Sequence, residues 1–390
     1  MKFLILRTEQ PEFLQWLYSN CTGLKKETCQ PQIRSDTSWR DPYQYYLHKL
    51  GHDAYTVFAN DELMQKAWAS RLGSVTSELL GFDQWKRRIH TIRLRAARTR
   101  IMHLQSLFRP VLDLLNEHVD SWFYQILEAQ IRYFRPDVLL NQAMHTIRSR
   151  FLARMKPYVC LLVGQAASPL PRFEQFTCYD LVISSLPSFV EYFRSLGISS
   201  ALHWWGFDPR ILRKMENRER NIPVSFVGGL SWHHKSRLHM LRYLCTRLPY
   251  IQLWGEGFEE LLENSPIRKC YRGKAWAIEM YQVLNDSKIT LNQHGEIAGP
   301  YAANRRLLEA TGVGSMLLTD WKVNLHEIFE LGREVVAYRT PEECLELIQY
   351  YLEHNDERET IAKAGQQRTL RQHTYDRRAK ELVALVQKYL

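Results

Sequence analysis

The chain has little that would serve as a covalent or metal framework. Its seven cysteines (Cys21, Cys29, Cys160, Cys178, Cys245, Cys270, Cys344) are odd in number, scattered and never spaced as C-x-x-C. Neither a zinc site nor a disulfide scaffold is indicated, and a reducing cytoplasm is the expected location. No apolar stretch approaches the roughly 20 residues of a membrane span. The opening Met1–Arg7 is too short an apolar run for a signal peptide. Membrane association is therefore expected to be peripheral, at the inner face. Neither a G-x-G-x-x-G fingerprint nor a Walker loop is present. No helix-turn-helix, zinc or RNA-recognition signature occurs, so a nucleic-acid partner is not expected. Long Ser/Gly/Pro tracts are also missing, which argues against extended disorder.

What is present is enough for two cores: 390 residues, 45% of them hydrophobic, exceed the size at which one core stops growing. The net charge of +10 has a local source. Lys86, Arg87, Arg88, Arg93, Arg95, Arg98 and Arg100 share one segment without an acid. This 86–100 segment is expected to form an exposed helix facing an anionic acceptor or membrane surface, the alternative being a solvated basic face.

Short apolar runs alternate with helical patterns, the βαβ rhythm of parallel sheets. Strands are expected at Lys2–Leu6, Ala54–Phe58, Asp137–Leu140, Tyr158–Val163 and Leu181–Ile183, with a helical insertion over about 61–133. The rhythm pauses between His203 and Pro223, where an interdomain linker is expected. It restarts with strands at Val224–Val227, Ile251–Trp254, Ile289–Asn292, Met316–Leu318 and Glu334–Tyr338. The domains are therefore drawn as 1–205, 206–375 and a returning helix, 376–390.

Two sites carry chemistry. Gly228-Gly229 follows an apolar strand, where glycine lets backbone approach a diphosphate and leaves N–H groups free to bind it; a plain tight turn is the alternative. His233, His234, Lys235 and Arg237 follow and add positive charge. The second site is Asn304-Arg305-Arg306-Leu307-Leu308-Glu309-Ala310-Thr311-Gly312, where an arginine can grip a diphosphate while Glu309 accepts hydrogen bonds from ribose hydroxyls. On a helix these same residues can simply pair with each other.

Together these residues carry a resemblance. The run from Val224 onward is similar to the CgeB-type, spore-maturation-protein-like glycosyltransferase family within the GT-B superfamily. It does so through Phe226-Val227-Gly228, Trp254-Gly255, Tyr271-Arg272-Gly273, Glu279-Met280-Tyr281, Leu291-Asn292-Gln293-His294-Gly295, Asn304-x-Arg306-x-x-Glu309-Ala, Leu317-Leu318-Thr319-Asp320 and His373-Thr374-Tyr375-x-x-Arg378. The resemblance implies an α/β GT-B fold, two Rossmann-like domains facing across a cleft. It implies a nucleotide-sugar donor in the C-terminal half and an acceptor, a glycan, lipid-linked or other envelope molecule, in the N-terminal half. Glu309 would meet the ribose, Arg306 and the Gly228-Gly229 loop the diphosphate, and Tyr271, Arg272 and Gly273 with Gly255 the base. Such enzymes use neither a cofactor nor the D-x-D metal motif, which this chain lacks, so Arg306, Lys235 and Arg237 would neutralise the leaving diphosphate. In many retaining relatives Glu309 would be the second of an E-x7-E pair, but Tyr301 stands at the first position. His294, beside Gly295, can meet the sugar or phosphate or be structural. An inverting mechanism needs a base, for which Asp36, Asp41, His145 and His294 stay open. The aromatics Trp39 to Tyr46 can stack on a sugar or pack in a core. A nucleotide-sugar epimerase on the same fold is the alternative enzyme, a nucleic-acid-binding protein the non-enzymatic one.

Overall fold

The computed structural model describes residues 1–20, 41–71, 121–171, 174–216, 218–230, 235–258 and 261–390. Asp36, Trp39, His233, His234, the basic 86–100 segment and most of the expected insertion lie outside the described residues.

The chain is α/β and builds two six-stranded parallel sheets. The first comprises β1 (Lys2–Arg7), β2 (Asp53–Phe58), β3 (Val138–Asn141), β4 (Leu161–Ala166), β5 (Leu181–Ser184) and β6 (Ser200–Leu202), in the order β2-β1-β3-β4-β5-β6. The second comprises β7 (Ile222–Val227), β8 (Ile251–Trp254), β9 (Tyr271–Gly273), β10 (Ser287–Asn292), β11 (Met316–Asp320) and β12 (Val336–Tyr338), in the order β12-β11-β10-β7-β8-β9. Central parallel strands are covered on both faces, so they read as unbroken apolar runs rather than alternating ones. Every residue of β3, β4 and β5 is accordingly buried. Register aligns Phe3 with Ala54 and Val138, and Phe226 with Leu253 and Leu291.

Two compact units divide the chain: Met1–Asp36, His52–Gly164 and Arg172–Tyr179 in one, Thr37–Gly51, Gln165–Pro171 and Asp180–Leu390 in the other. In the second unit, one face of the sheet packs the helices Lys235–Arg247 and Pro341–Glu353 around Leu241, Leu244, Cys344 and Ile348. The other face packs Trp205, Phe207, Leu284, Leu307 and Leu317. The stretch expected as a linker thus contributes core residues. Phe207 also bridges to Thr374, donating its N–H to His373 O at 2.7 Å and accepting from Tyr375 N at 2.9 Å. The closing helix Tyr375–Val386 packs on the helix Pro42–Lys49 through Lys49–Asp376 at 2.8 Å and an edge-on Tyr43–Tyr375 contact at 5.2 Å.

Local expectations held with three shifts. Pro157 sits in a short 3-10 turn, Lys156–Tyr158, so β4 starts at Leu161 and takes in Gly164, Gln165 and Ala166 rather than ending before them. Strands β6 and β9, three residues each, carry no periodicity that a sequence pattern could register. Gly312 ends inside the helix Arg306–Gly312 rather than after it. Among the described residues no helix is long and apolar enough to cross a membrane.

Gly312 offers a clean test of packing. An added Cβ would come within 2.5 Å of the Phe207 ring, which is fully buried. Helix propensity alone favours Gly312→Ala by about 1 kcal/mol, whereas overpacking costs about 1–3 kcal/mol. The variant is expected to unfold at lower urea concentration than the wild type. A higher midpoint would mean that propensity outweighs the contact.

Candidate functional site

In the second sheet the strand order reverses between β7 and β10, and open α/β sheets bind ligands beyond the carboxyl ends of the strands at such a point. The two loops that meet there are Gly228-Gly229 after β7 and Gln293-His294-Gly295 after β10. The β7 loop is zipped to the loop after β8: Gly228 donates its N–H to Trp254 O at 2.9 Å, and Leu230 to Glu256 O at 2.7 Å. Gly255, at φ +141°, is glycine for a visible reason, since a Cβ there would lie 2.1 Å from Gly228 O. The expectation that the glycine pair leaves its N–H groups free is therefore corrected at Gly228, whose N–H is spent on the sheet's own edge.

Arg237 spans the switch point. It lies in the first turns of the helix Lys235–Arg247, is only 9% exposed, and donates Nη1 to Gly229 O at 2.6 Å and Nη2 to Gln293 O at 2.9 Å. Its guanidinium rests 5.5 Å from the Phe226 ring centroid, and its Nε has no partner. Among the described residues no carboxylate pairs with it. Burial lowers its pKa, an effect the more distant Asp320 carboxylate opposes. A buried cation without a directly paired counter-ion is costly. Lys235, two residues earlier, is exposed.

Beyond β10, His294 is held by Asp320 at the end of β11. Its Nδ1 lies 2.6 Å from Asp320 Oδ1, which also accepts the His294 backbone N–H at 3.0 Å. Lys322 Nζ sits 3.3 Å from Asp320 Oδ2 and donates to Gly299 O at 2.8 Å. Burial alone would raise the Asp320 pKa, but the bonds from His294 and the Lys322 charge outweigh it and hold the carboxyl below its ordinary value. Nε2 of His294 is buried and, among the described residues, has no hydrogen-bond partner.

Asn304 reaches the same strand end, donating Nδ2 to Asn292 Oδ1 at 2.8 Å. Arg306 and Glu309 pair at 2.9 Å, about 15% exposed each, and Arg306 Nη1 also meets the Met280 sulfur at 3.2 Å. Tyr301 packs with Leu186, Phe189, Ala298 and Ala303. An apolar cluster thus occupies the place where an E-x7-E pair would put a carboxylate. On the far side of the switch point, Tyr271 donates its hydroxyl to Gly255 O at 3.0 Å and stacks on Phe258, while Gly273 O accepts from Gly255 N at 3.0 Å. Arg272 is exposed and donates to Lys269 O at 3.2 Å.

The other base candidates fall elsewhere. Asp41 caps the helix Pro42–Lys49, accepting from Tyr43 N at 3.0 Å, which accounts for it without catalysis. His145 is exposed in the turn after β3, in the first compact unit. Tyr43 and Tyr46 are core residues, bonded to His203 Nε2 at 2.7 Å and Asp208 Oδ1 at 3.1 Å. Asp320 and Gln293 were not singled out from sequence as site residues. Their signal was position, immediately past an apolar strand.

Residues 211–384 match the family model described as glycosyl transferase-like. The chain overlays a glycosyltransferase from Rickettsia africae ESF-5 with a TM-score of 0.57 at 11% identity, covering 100% of this chain and 98% of that one. HepE from Anabaena, crystallised with UDP, overlays with a TM-score of 0.55 at 12% identity, covering 100% of both chains. Its complex with UDP-glucose gives 0.52 at 13% identity over 68% of this chain and 82% of that one. At these identities the likeness is one of fold, and the fold is GT-B. No curated protein matches the sequence.

Asp320 gives a pH test of the site. Its folded pKa lies below the ordinary 3.8, so its contribution to stability is complete above that value and is lost as the pH falls through the lower, folded pKa. Asp320→Asn should cost about 1.5–3 kcal/mol at pH 7, the range for hydrogen bonds to charged groups. The gap between variant and wild type should narrow in denaturation series run below pH 3.8. Equal stability at pH 7 would show that the pair with His294 contributes nothing.

Proposed function

We propose that the protein transfers a sugar from a nucleoside-diphosphate sugar to a glycan, lipid-linked or other envelope acceptor without a metal ion. The observation that carries this reading is the buried Arg237, with no directly paired carboxylate among the described residues, at the switch point of the region that matches the glycosyl transferase-like model. Only two of its five N–H donors are spent on carbonyls. As the glycosidic bond breaks, the diphosphate gains negative charge. A cation fixed in a low-dielectric crevice stabilises that state more than the ground state, with no reorganisation. Lys235 adds a second, exposed charge. Uridine nucleotides are the first donors to try, because one of the similar folds, HepE, was crystallised with UDP and with UDP-glucose. The CgeB-type motif Asn304-x-Arg306-x-x-Glu309 supports the same placement: Arg306 on the diphosphate, Glu309 on the ribose, the pair opening to take the ligand. The base lies toward Gly255 and Tyr271 to Gly273. Peripheral contact with an anionic surface through residues 86–100 and a place at the inner face of the membrane belong to the same proposal.

The donor is found by a thermal-shift screen of nucleotide-sugars, since a ligand at 100 times its dissociation constant adds about 2.7 kcal/mol. With that donor, Glu309→Gln is expected to weaken binding by about 1.5–3 kcal/mol while changing folding stability much less. A purely structural ion pair gives the reverse: binding intact, and a stability loss of about 0.3–0.5 kcal/mol. Calorimetry beside melting curves separates the two.

A further inference from the structure

Past the switch point, on the side away from β8 and β9, the ends of β10, β11 and β12 line a cavity of about 710 Å³. Of the residues assigned above to the donor, only His294 lines it. Its charges nearly balance, Lys322 and Arg339 against Asp320 and Glu296, so it is not an anion site. Trp321 stands at the cavity, 37% exposed, its ring covered on one face by the Arg339 guanidinium at 4.0 Å. Two lining residues carry side-chain atoms without a hydrogen-bond partner, Nε2 of His294 and Oε1 of Gln293. Both can exchange a hydrogen bond with a ligand hydroxyl, which donates or accepts. A matching ligand is neutral, offers several hydroxyls and has an apolar face for an indole: a pyranose ring.

We propose that this cavity is a saccharide subsite, in which a pyranose lies against Trp321 and hydrogen-bonds Gln293 and His294 through its hydroxyls. Both atoms are covered, so the ring reaches them after a local side-chain shift. Asp320 acts as a positioning residue through its bonds to the His294 ring and backbone. The subsite rests on the transferase reading, and the ring comes either from the donor's glycosyl group or from the acceptor.

The test compares wild type with Trp321→Ala, a surface change that leaves the core intact, and with His294→Leu and His294→Gln. Calorimetry follows UDP and UDP-glucose; saturation-transfer NMR follows free glucose, galactose and N-acetylglucosamine. Trp321→Ala and His294→Leu should weaken saccharide binding roughly threefold to tenfold, the worth of one hydrogen bond or ring contact, with UDP affinity unchanged in Trp321→Ala. His294→Gln, which keeps a hydrogen-bonding group, should lose less. A loss seen for UDP-glucose but not for free sugars assigns the ring to the donor; a loss confined to free sugars assigns it to the acceptor. Saccharide binding equal to wild type in both Trp321→Ala and His294→Leu overturns the proposal, as does a wild type that receives no saturation on any sugar and binds UDP and UDP-glucose equally. A wild type that binds no nucleotide sinks the transferase reading alone, and the free-sugar arm still decides the cavity.

Discussion

One side chain, Arg237, ties Gly229 O to Gln293 O across the point where the strand order of the second sheet reverses. Without it the loops after β7 and β10 would have no common partner there, and Phe226 would lose the cation over its ring. A buried charge is a poor way to stabilise a fold, since apolar replacements of similar volume often do as well or better. Its presence is better explained by use than by stability, which is how strained or costly groups come to gather at functional sites.

Around that anchor the neighbouring strand ends are cross-braced by polar side chains. Asn292 donates to Thr319 Oγ1 at 2.9 Å and accepts from Asn304, and Tyr338 donates to the Asn292 carbonyl at 2.9 Å. Each of these groups is buried or nearly so, and each bond satisfies a donor or acceptor that would otherwise be orphaned. The braces place the backbone of β10, and with it His294, at fixed distances from β11 and β12. Rigidity of this kind is what lets a small ligand be held by few contacts.

Much of this was legible in the sequence. Apolar runs closing on small residues located most of the strands, because buried parallel strands need no alternation. The edge strands β6 and β9 were not legible, being three residues long and defined by their neighbours. Gly228-Gly229 and Arg237 were singled out in the sequence, but not their division of labour: the Gly228 N–H pairs with Trp254, 26 residues away, and Arg237 reaches Gln293 O, 56 residues away. Asp41 caps a helix, a role the same residue type fills as readily as that of a base. Asp320 was passed over because its partner, His294, lies on another strand.

A crystal structure of the full chain with UDP tests the central claim most directly. The diphosphate is expected beyond the ends of β7 and β10, with phosphate oxygens about 2.7–3.2 Å from the Arg237 guanidinium or the Lys235 ammonium. A diphosphate bound at the switch point of the first sheet, between β1 and β3, or one that leaves Arg237 facing only its two carbonyls, would contradict it.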